Sequence, residues 1–120
     1  MNFTHRPYKR PDRVADELHH ILGNLFISEV FIPEAGLLTV TQVKVTDDLK
    51  LAKVYFSFLE NKKSVDVILD ILSEKHNLIR HHLGQKVTLK YTPQLRFYYD
   101  NTLEQFERID HLIEKIHNND

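Results

Sequence analysis

The residues best suited to chemistry in this chain are cations, and they concentrate between positions 75 and 96. This block of 22 residues contains no aspartate or glutamate and five basic residues: Lys75, Arg80, Lys86, Lys90 and Arg96. The whole chain has a net charge of only −1, so its charge is distributed very unevenly. Lysine and arginine without neighbouring acids are suited to binding phosphate oxygens. The block therefore predicts a surface for an anionic partner, and RNA is the leading candidate.

A second basic cluster lies near the N-terminus, where Arg6, Lys9, Arg10 and Arg13 accompany a single acid, Asp12. Residues 14–74 and 97–120 are both acidic on balance. If the fold joins the two basic clusters, they form one positive patch. A disordered, solubilising N-terminus is the alternative. Arg13 is the strongest candidate of the four because it lies on the first predicted helix.

The eight histidines and the paired acids raise the questions of metal binding and of catalysis. His19-His20 and His81-His82 are adjacent pairs, and neighbouring side chains on a helix diverge by about 100°. Asp16 and His20 have helical spacing, but zinc requires three or four ligands. Turn formation explains Asp47-Asp48 better than acid–base chemistry does. We therefore expect no metal site, and no acid–base catalysis by Asp47 and Asp48.

The N-terminal half predicts a helix followed by a hairpin of two strands. Apolar residues recur at helical spacing from Asp12 through Gly23 to Phe26. A strand follows over residues 37–46, and a change in its alternation predicts a bulge at Thr41–Gln42. A second strand alternates over residues 52–58, after the turn at Asp47-Asp48.

The C-terminal half predicts a broken helix, a strand and a last helix. Ser64 is a plausible N-cap for the first helical piece, which breaks at 75–77, where Asn77 is expected to adopt the left-handed backbone of a kink. The second piece ends at Gly84, expected just past the helix end. A strand alternates over 87–99 around Pro93, with Phe97 and Tyr99 in the core and Tyr98 facing outward. A helix over residues 103–116 follows, in which Thr102 and Gln105 have capping-box spacing.

These elements predict one α+β domain with a three-stranded sheet and helices packed on one face. Residues 1–9 are expected to be a flexible basic arm, residues 10–117 the domain and residues 118–120 a tail. The chain has no cysteine, which excludes disulfides and thiolate chemistry and fits a cytoplasmic protein. No stretch is apolar enough to span a membrane, and the N-terminus lacks the apolar region of a secretory signal.

The order of these elements and several motifs resemble the bacterial ribosome-binding factor A family. The matching segments are RPDRVADELHHIL, VTQVKVTDDLKLAKVYFS and the stretch from Ile79 to Ile113. The more specific pieces are the hairpin from Val43 to Leu49, Ile79-Arg80, and Pro93-Gln94-Leu95 with Phe97 and Asp100. The resemblance covers about residues 6 to 116. It implies a type II KH-like fold with the order α-β-β-α-kink-α-β-α.

The resemblance also implies a role in ribosome biogenesis and cold adaptation, without catalysis, catalytic residues or a cofactor. Its expected partners are the 30S subunit and 16S rRNA near its 5′ end, with no membrane and no small-molecule substrate, and a monomer is expected. One departure concerns the family's small-residue Ala-x-Gly kink, which here aligns with Lys75-His76-Asn77. Contact with RNA is therefore expected to shift from backbone to side chains. The predicted RNA-binding residues are Arg10, Arg13, Lys75, His76, Asn77, Arg80, His81, His82, Lys86 and Lys90.

Besides an enzyme such as a histidine-dependent nuclease, which would need paired histidines and carboxylates in one cleft, two alternatives remain open from the residues themselves. The first is a KH-like module that binds free single-stranded RNA and never meets the ribosome. The second is a non-catalytic protein adaptor that uses the acidic segments, whose binding would survive reversal of the basic charges.

Overall fold

Alternating apolar residues on three strands build a mixed sheet that carries three helices on one face. A computed structural model describes residues 7–102. The elements are α1 (Arg10–Ser28), a short 3₁₀ helix (Pro33–Ala35), β1 (Leu37–Val45), β2 (Leu51–Leu59), α2 (Val65–Glu74), α3 (His76–Gly84) and β3 (Gln94–Tyr99). The predicted helix over 103–116 lies outside the described residues, as does Arg6. No helix among residues 7–102 is long and apolar enough to cross a membrane.

The sheet has the order β1-β2-β3, with β1 antiparallel and β3 parallel to the central strand β2. The register between β1 and β2 shifts between Val40 and Gln42, which confirms the predicted bulge and leaves Thr41 as the extra residue. The shift returns Val43 to the buried face, so that both halves of β1 contribute to one core.

The core lies between this sheet and the apolar stripes of the helices. Fully buried side chains come from each helix in turn: Leu18, Leu22 and Leu25 from α1, Ile68 and Leu72 from α2, and Ile79 and Leu83 from α3. Phe56 on β2 lies at the centre and meets the Phe26 ring edge-on at 5.3 Å. Each such side chain contributes about 1.5–3 kcal/mol through burial. The predicted α+β layering is confirmed.

Helix boundaries follow local capping chemistry. α1 begins at Arg10, and the Asp12 carboxylate accepts the Lys9 backbone N–H at 3.0 Å. The helix continues through Gly23, as predicted. The Ser64 hydroxyl accepts a hydrogen bond from the Val67 N–H, which confirms Ser64 as the N-cap of α2.

The predicted strand over 87–99 is wrong in its first half, because β3 begins only at Gln94. Its ladder to β2 begins with Leu51 opposite Gln94, so residues 87–93 have no strand beside them. Pro93 offers no N–H for a ladder and is buried at the start of β3. Val87 and Leu89 pack against the core without a strand, whereas Tyr91 is 76% exposed.

The prediction that Gly84 lies just past the end of α3 is also wrong. Gly84 is the last residue of α3, and Gly36 is the glycine of the described chain that has a positive φ, at 63°. A Cβ at Gly84 would lie 2.9 Å from the Thr92 hydroxyl, so this glycine allows close approach of the segment that follows α3. Glycine is needed here for space and not for backbone conformation.

Candidate nucleic-acid interface

The break between α2 and α3 is confirmed, and it consists of one residue, Lys75. Its backbone has φ −90° and ψ 8°, outside the helical range, while α2 ends at Glu74 and α3 begins at His76. Asn77 lies inside α3 and has no positive φ, so its predicted role in the kink is wrong. Backbone hydrogen bonds from Lys75 to Ile71 and from Ile79 to Lys75 continue across the break, which removes the need for a left-handed residue.

The side chains at the break border a groove beside β3. His76 is half-buried, with its ring 6.0 Å from the Phe97 ring, and Asn77 lies next to it at the surface. His76, Ser73, Arg96 and Tyr98 help to line a cavity of about 310 Å³. Lys75 is half-buried and does not line this cavity.

Arg80 has a structural role that the sequence did not indicate. Its Nε donates to the Pro93 carbonyl at 3.1 Å, and one of its terminal nitrogens donates to the Thr92 carbonyl at 2.7 Å. These bonds anchor the chain before β3 onto α3 at the point where Gly84 allows close approach. Arginine has five N–H donors, so the guanidinium retains donors for a ligand.

A cavity of about 420 Å³ joins the two basic clusters of the sequence. Arg10 from α1, Lys50 from the β1–β2 turn, Arg80 from α3 and Lys90 all line it. A second, open cavity of about 510 Å³ adjoins it along Arg80 and Lys90 and is also lined by Asn77 and His81. We call Arg10, Lys50, Arg80, His81 and Lys90, with the exposed Tyr91, the basic surface.

One acid, Asp48, lies within the lining of the cavity that holds Arg10 and Lys50. Its Oδ1 accepts hydrogen bonds from the Thr46 hydroxyl at 2.7 Å and from the Lys50 backbone N–H at 3.0 Å. The hydroxyl contact, followed by the backbone one, holds the pKa of Asp48 below its usual value. The turn prediction for this residue is confirmed, and the carboxylate is used to shape the hairpin that presents Lys50.

His82 and Lys86 are predicted RNA-binding residues that lie elsewhere, against Glu29 near the end of α1. The His82 Nδ1 is 2.7 Å from one Glu29 oxygen, and the Lys86 ammonium forms an ion pair with the other. The hydrogen bond from Lys86 is the main cause that holds the pKa of Glu29 below its usual value. Glu29 thus offsets positive charge at this end of α3.

Arg13 is exposed about one turn beyond Arg10 on α1 and lines neither cavity of the basic surface. Of the predicted residues, the structure therefore brings together Arg10, Asn77, Arg80, His81 and Lys90 along the two cavities. The other five line neither cavity: Arg13, Lys75, His76, His82 and Lys86. Lys50 was missed. Its signal was its position after Asp47-Asp48, where a turn must bring it to the surface.

Metal ligation has no support in the described chain. No three histidines, aspartates or glutamates among residues 7–102 converge in a way that would hold an ion. The basic surface offers the exposed cations Arg10, Lys50 and Lys90, and it also carries the exposed rings of Tyr91 and His81. Together these groups are suited to phosphates and bases.

Comparison with known proteins shows which family this chain is similar to. The model of the family "Ribosome-binding factor A" matches residues 10–113. A ribosome-binding factor A of Syntrophobacter fumaroxidans is 36% identical over 118 residues, covering 94% of this chain and 98% of the relative. That of Staphylococcus carnosus is 35% identical over 111 residues, covering 92% and 96%.

Structures of proteins named ribosome-binding factor A have a fold similar to that of this chain. The crystal structure of ribosome-binding factor A from Thermus thermophilus matches with a TM-score of 0.64 and 22% identity, over 74% of this chain and 94% of that one. A homology model of the Thermus thermophilus factor, fitted into a cryo-electron-microscopy map of its complex with 30S, has a TM-score of 0.60 and 23% identity, over 72% and 90%. The KH-like fold expected from the sequence is thereby confirmed. The chain belongs to the ribosome-binding factor A family.

Proposed function

We propose that this chain binds immature 30S subunits through 16S rRNA and assists late processing or folding of that RNA, without catalysis. The observation that carries the proposal is the convergence of Arg10, Lys50, Arg80 and Lys90 around one cavity. The 30S complex reported for the Thermus thermophilus relative supports the choice of partner. The chain acts as a cytoplasmic monomer in this proposal, with residues 10–117 as its single domain.

The mechanism is electrostatic capture followed by a shift in RNA conformation. Lysine and arginine contacts to phosphates release counterions, so binding weakens steeply as salt rises. A bound protein changes the folding of rRNA only if it binds one conformation more tightly than another. The anchored segment before β3 favours such selectivity, because Arg80 fixes the position of Lys90 and Tyr91 before RNA arrives.

Co-sedimentation in sucrose gradients with purified 30S, 50S and 70S particles tests the proposal. Wild type is compared with Arg10→Glu/Lys90→Glu, which reverses two charges of the basic surface. The matched control is Lys62→Glu/Lys63→Glu, the same charge change at two exposed residues after the opposite end of β2. We expect wild type and control in the 30S fraction alone, and the basic-surface variant at the top.

Other outcomes separate the alternatives. A chain that never sediments with 30S at low salt, yet binds free RNA, is a free single-stranded RNA-binding module. Binding to 30S that survives the reversal of Arg10 and Lys90 points to an adaptor that contacts ribosomal protein through its acidic segments. Either outcome contradicts the proposed function.

A further inference from the structure

The face of the sheet that is turned away from the helices carries three cations in one row. Lys44 on β1 lies directly opposite Lys53 on β2, and Lys53 lies directly opposite Arg96 on β3. Side chains so placed are close neighbours on one face, and like charges in these positions repel. The described residues provide no ion pair to any of the three. The row weakens the sheet, so it is better explained by an anionic ligand than by stability.

The next row along the same face is aromatic. Tyr55 on β2 lies opposite Tyr98 on β3, and their rings stack at 5.2 Å with 24° between the planes. The Lys44 ammonium lies 5.6 Å from the centre of the Tyr55 ring, so the cationic and aromatic rows are in contact. Both tyrosines are half-buried, and both are therefore held in place.

The outer side of this stack faces the edge of the described sheet. Tyr55 covers one face of the Tyr98 ring, and β3 is an edge strand of the described sheet, so no further strand covers the other face. Tyr98 and Arg96 both line the cavity of about 310 Å³ beside His76. A planar group can therefore continue the stack from Tyr98 toward that cavity.

One acid marks the far end of this face. Asp100 follows Tyr98 with the same parity, and its carboxylate accepts hydrogen bonds from the Thr41 hydroxyl at 2.7 Å and from the Thr102 hydroxyl. These contacts hold the pKa of Asp100 below its usual value, with Thr102 as the larger cause. The aromatic row separates this acid from the cations, so Asp100 does not offset the positive charge of Lys44, Lys53 and Arg96.

We propose that this open sheet face is a second RNA contact surface, which binds a single-stranded segment with a base stacked on Tyr98 and phosphates on Lys44, Lys53 and Arg96. Single strands are favoured because a duplex buries the base faces that tyrosine would stack on. Only the nature of the ligand rests on the proposed function. The surface itself is separate from Arg10, Lys50 and Lys90.

Fluorescence anisotropy with a labelled oligouridine of about ten nucleotides, a length typical of single-strand sites, tests the proposal. Tyr98→Leu removes the stacking ring but keeps an apolar side chain, and we expect affinity to fall about fivefold or more. Tyr98→Phe keeps the ring and should bind like wild type. Lys53→Glu should also lose affinity, whereas Lys62→Glu, a matched charge reversal away from this face, should not. Thermal unfolding of each variant confirms that it is folded.

The proposal is overturned if wild type binds no oligouridine, if a duplex of the same length binds equally well, or if Tyr98→Leu and Lys53→Glu match the Lys62→Glu control. The 30S experiment gives an independent result. Loss of 30S association with retained oligouridine binding contradicts the proposed function alone. Retained 30S association without oligouridine binding contradicts the sheet-face proposal alone.

Discussion

Lys86 and Lys90 are four residues apart and carry the same charge in opposite surroundings. Lys86 forms an ion pair with Glu29, whereas Lys90 lines both cavities of the basic surface. We expect Lys90→Gln to weaken RNA binding about fivefold and to reduce the salt dependence by about one counterion. Lys86→Gln should change affinity little, because Glu29 already offsets its charge. Titration of 30S binding against salt concentration distinguishes the two, and equal losses would place Lys86 at the interface.

Arg80 is expected to act mainly on stability. Its bonds to the Thr92 and Pro93 carbonyls are charge-assisted and partly buried, and such bonds contribute about 1.5–3 kcal/mol. Arg80→Ala should lower the free energy of unfolding by about 2–3 kcal/mol in urea denaturation. Arg80→Lys should recover only part of this loss, because an ammonium lacks the planar fork that reaches both carbonyls. If Arg80→Ala left stability unchanged but abolished RNA binding, Arg80 would act only by contacting RNA.

At the scale of elements, replacing each of two glycines by alanine is expected to change the free energy of unfolding in opposite directions. Gly23 lies inside α1, and a Cβ added there would have nothing within 4 Å, so Gly23→Ala should raise the free energy of unfolding by about 0.5–1 kcal/mol. Gly36 has φ 63°, and its Cβ would lie 2.4 Å from the Leu59 carbonyl oxygen. Gly36→Ala should cost about 3 kcal/mol or more. Thermal and urea unfolding of both variants tests this prediction. Changes of the same sign in the free energy of unfolding would contradict it.

The bulge of β1 is tied to the end of β3 by the bond from Thr41 to Asp100. The pKa of Asp100 is lowered in the folded chain, so its charged form stabilises the fold above the unfolded pKa of about 4. This contribution disappears as pH falls through the lower, folded pKa. Asp100→Asn should therefore cost about 1 kcal/mol at neutral pH, and this cost should shrink as pH falls through the folded pKa. A difference from wild type that persists at low pH would contradict this assignment.

The elements that could be predicted from the sequence are those with a complete periodic pattern. α1, the hairpin with its bulge and the helix break all follow from apolar spacing, since burial decides them. The first half of the predicted strand, residues 87–93, shows the limit of such patterns. Its alternation is good, but a strand also needs a free neighbour, and the ladder of β2 begins only at Leu51.

The sequence predicted that the candidate site is basic, but it did not predict which basic residues lie together or which contacts they make. Arg10 lies near Arg80 and Lys90 because of the way α1 packs on the sheet. The local spacing of apolar residues does not determine that packing. The pairing of Lys86 with Glu29 joins residues 57 positions apart. Arg80 looked like a phosphate ligand because a sequence shows its charge and not the carbonyl oxygens of Thr92 and Pro93 that it contacts.

At the scale of the whole molecule, the sheet separates two surfaces of like charge. The basic surface gathers at the end that carries the β1–β2 turn and the N-terminus of α1, while the row of Lys44, Lys53 and Arg96 lies on the face opposite the helices. RNA that contacts both can pass around β3, the edge strand that carries Arg96 and Tyr98. Combining Lys90→Gln with Tyr98→Leu should then multiply the two separate losses of affinity, as expected for independent contacts. A double variant no weaker than either single one would show that both act at one contact.

The parallel pairing of β3 with β2 also has a consequence for synthesis of the chain. β1 and β2 form a local hairpin, whereas the 34 residues of the segment 60–93 separate the end of β2 at Leu59 from the start of β3 at Gln94. During translation the central strand must therefore wait, with one edge unpaired, until most of the domain has emerged. We expect nascent chains that end before Gln94 to aggregate through that edge, and chains that extend past Tyr99 to resist proteolysis.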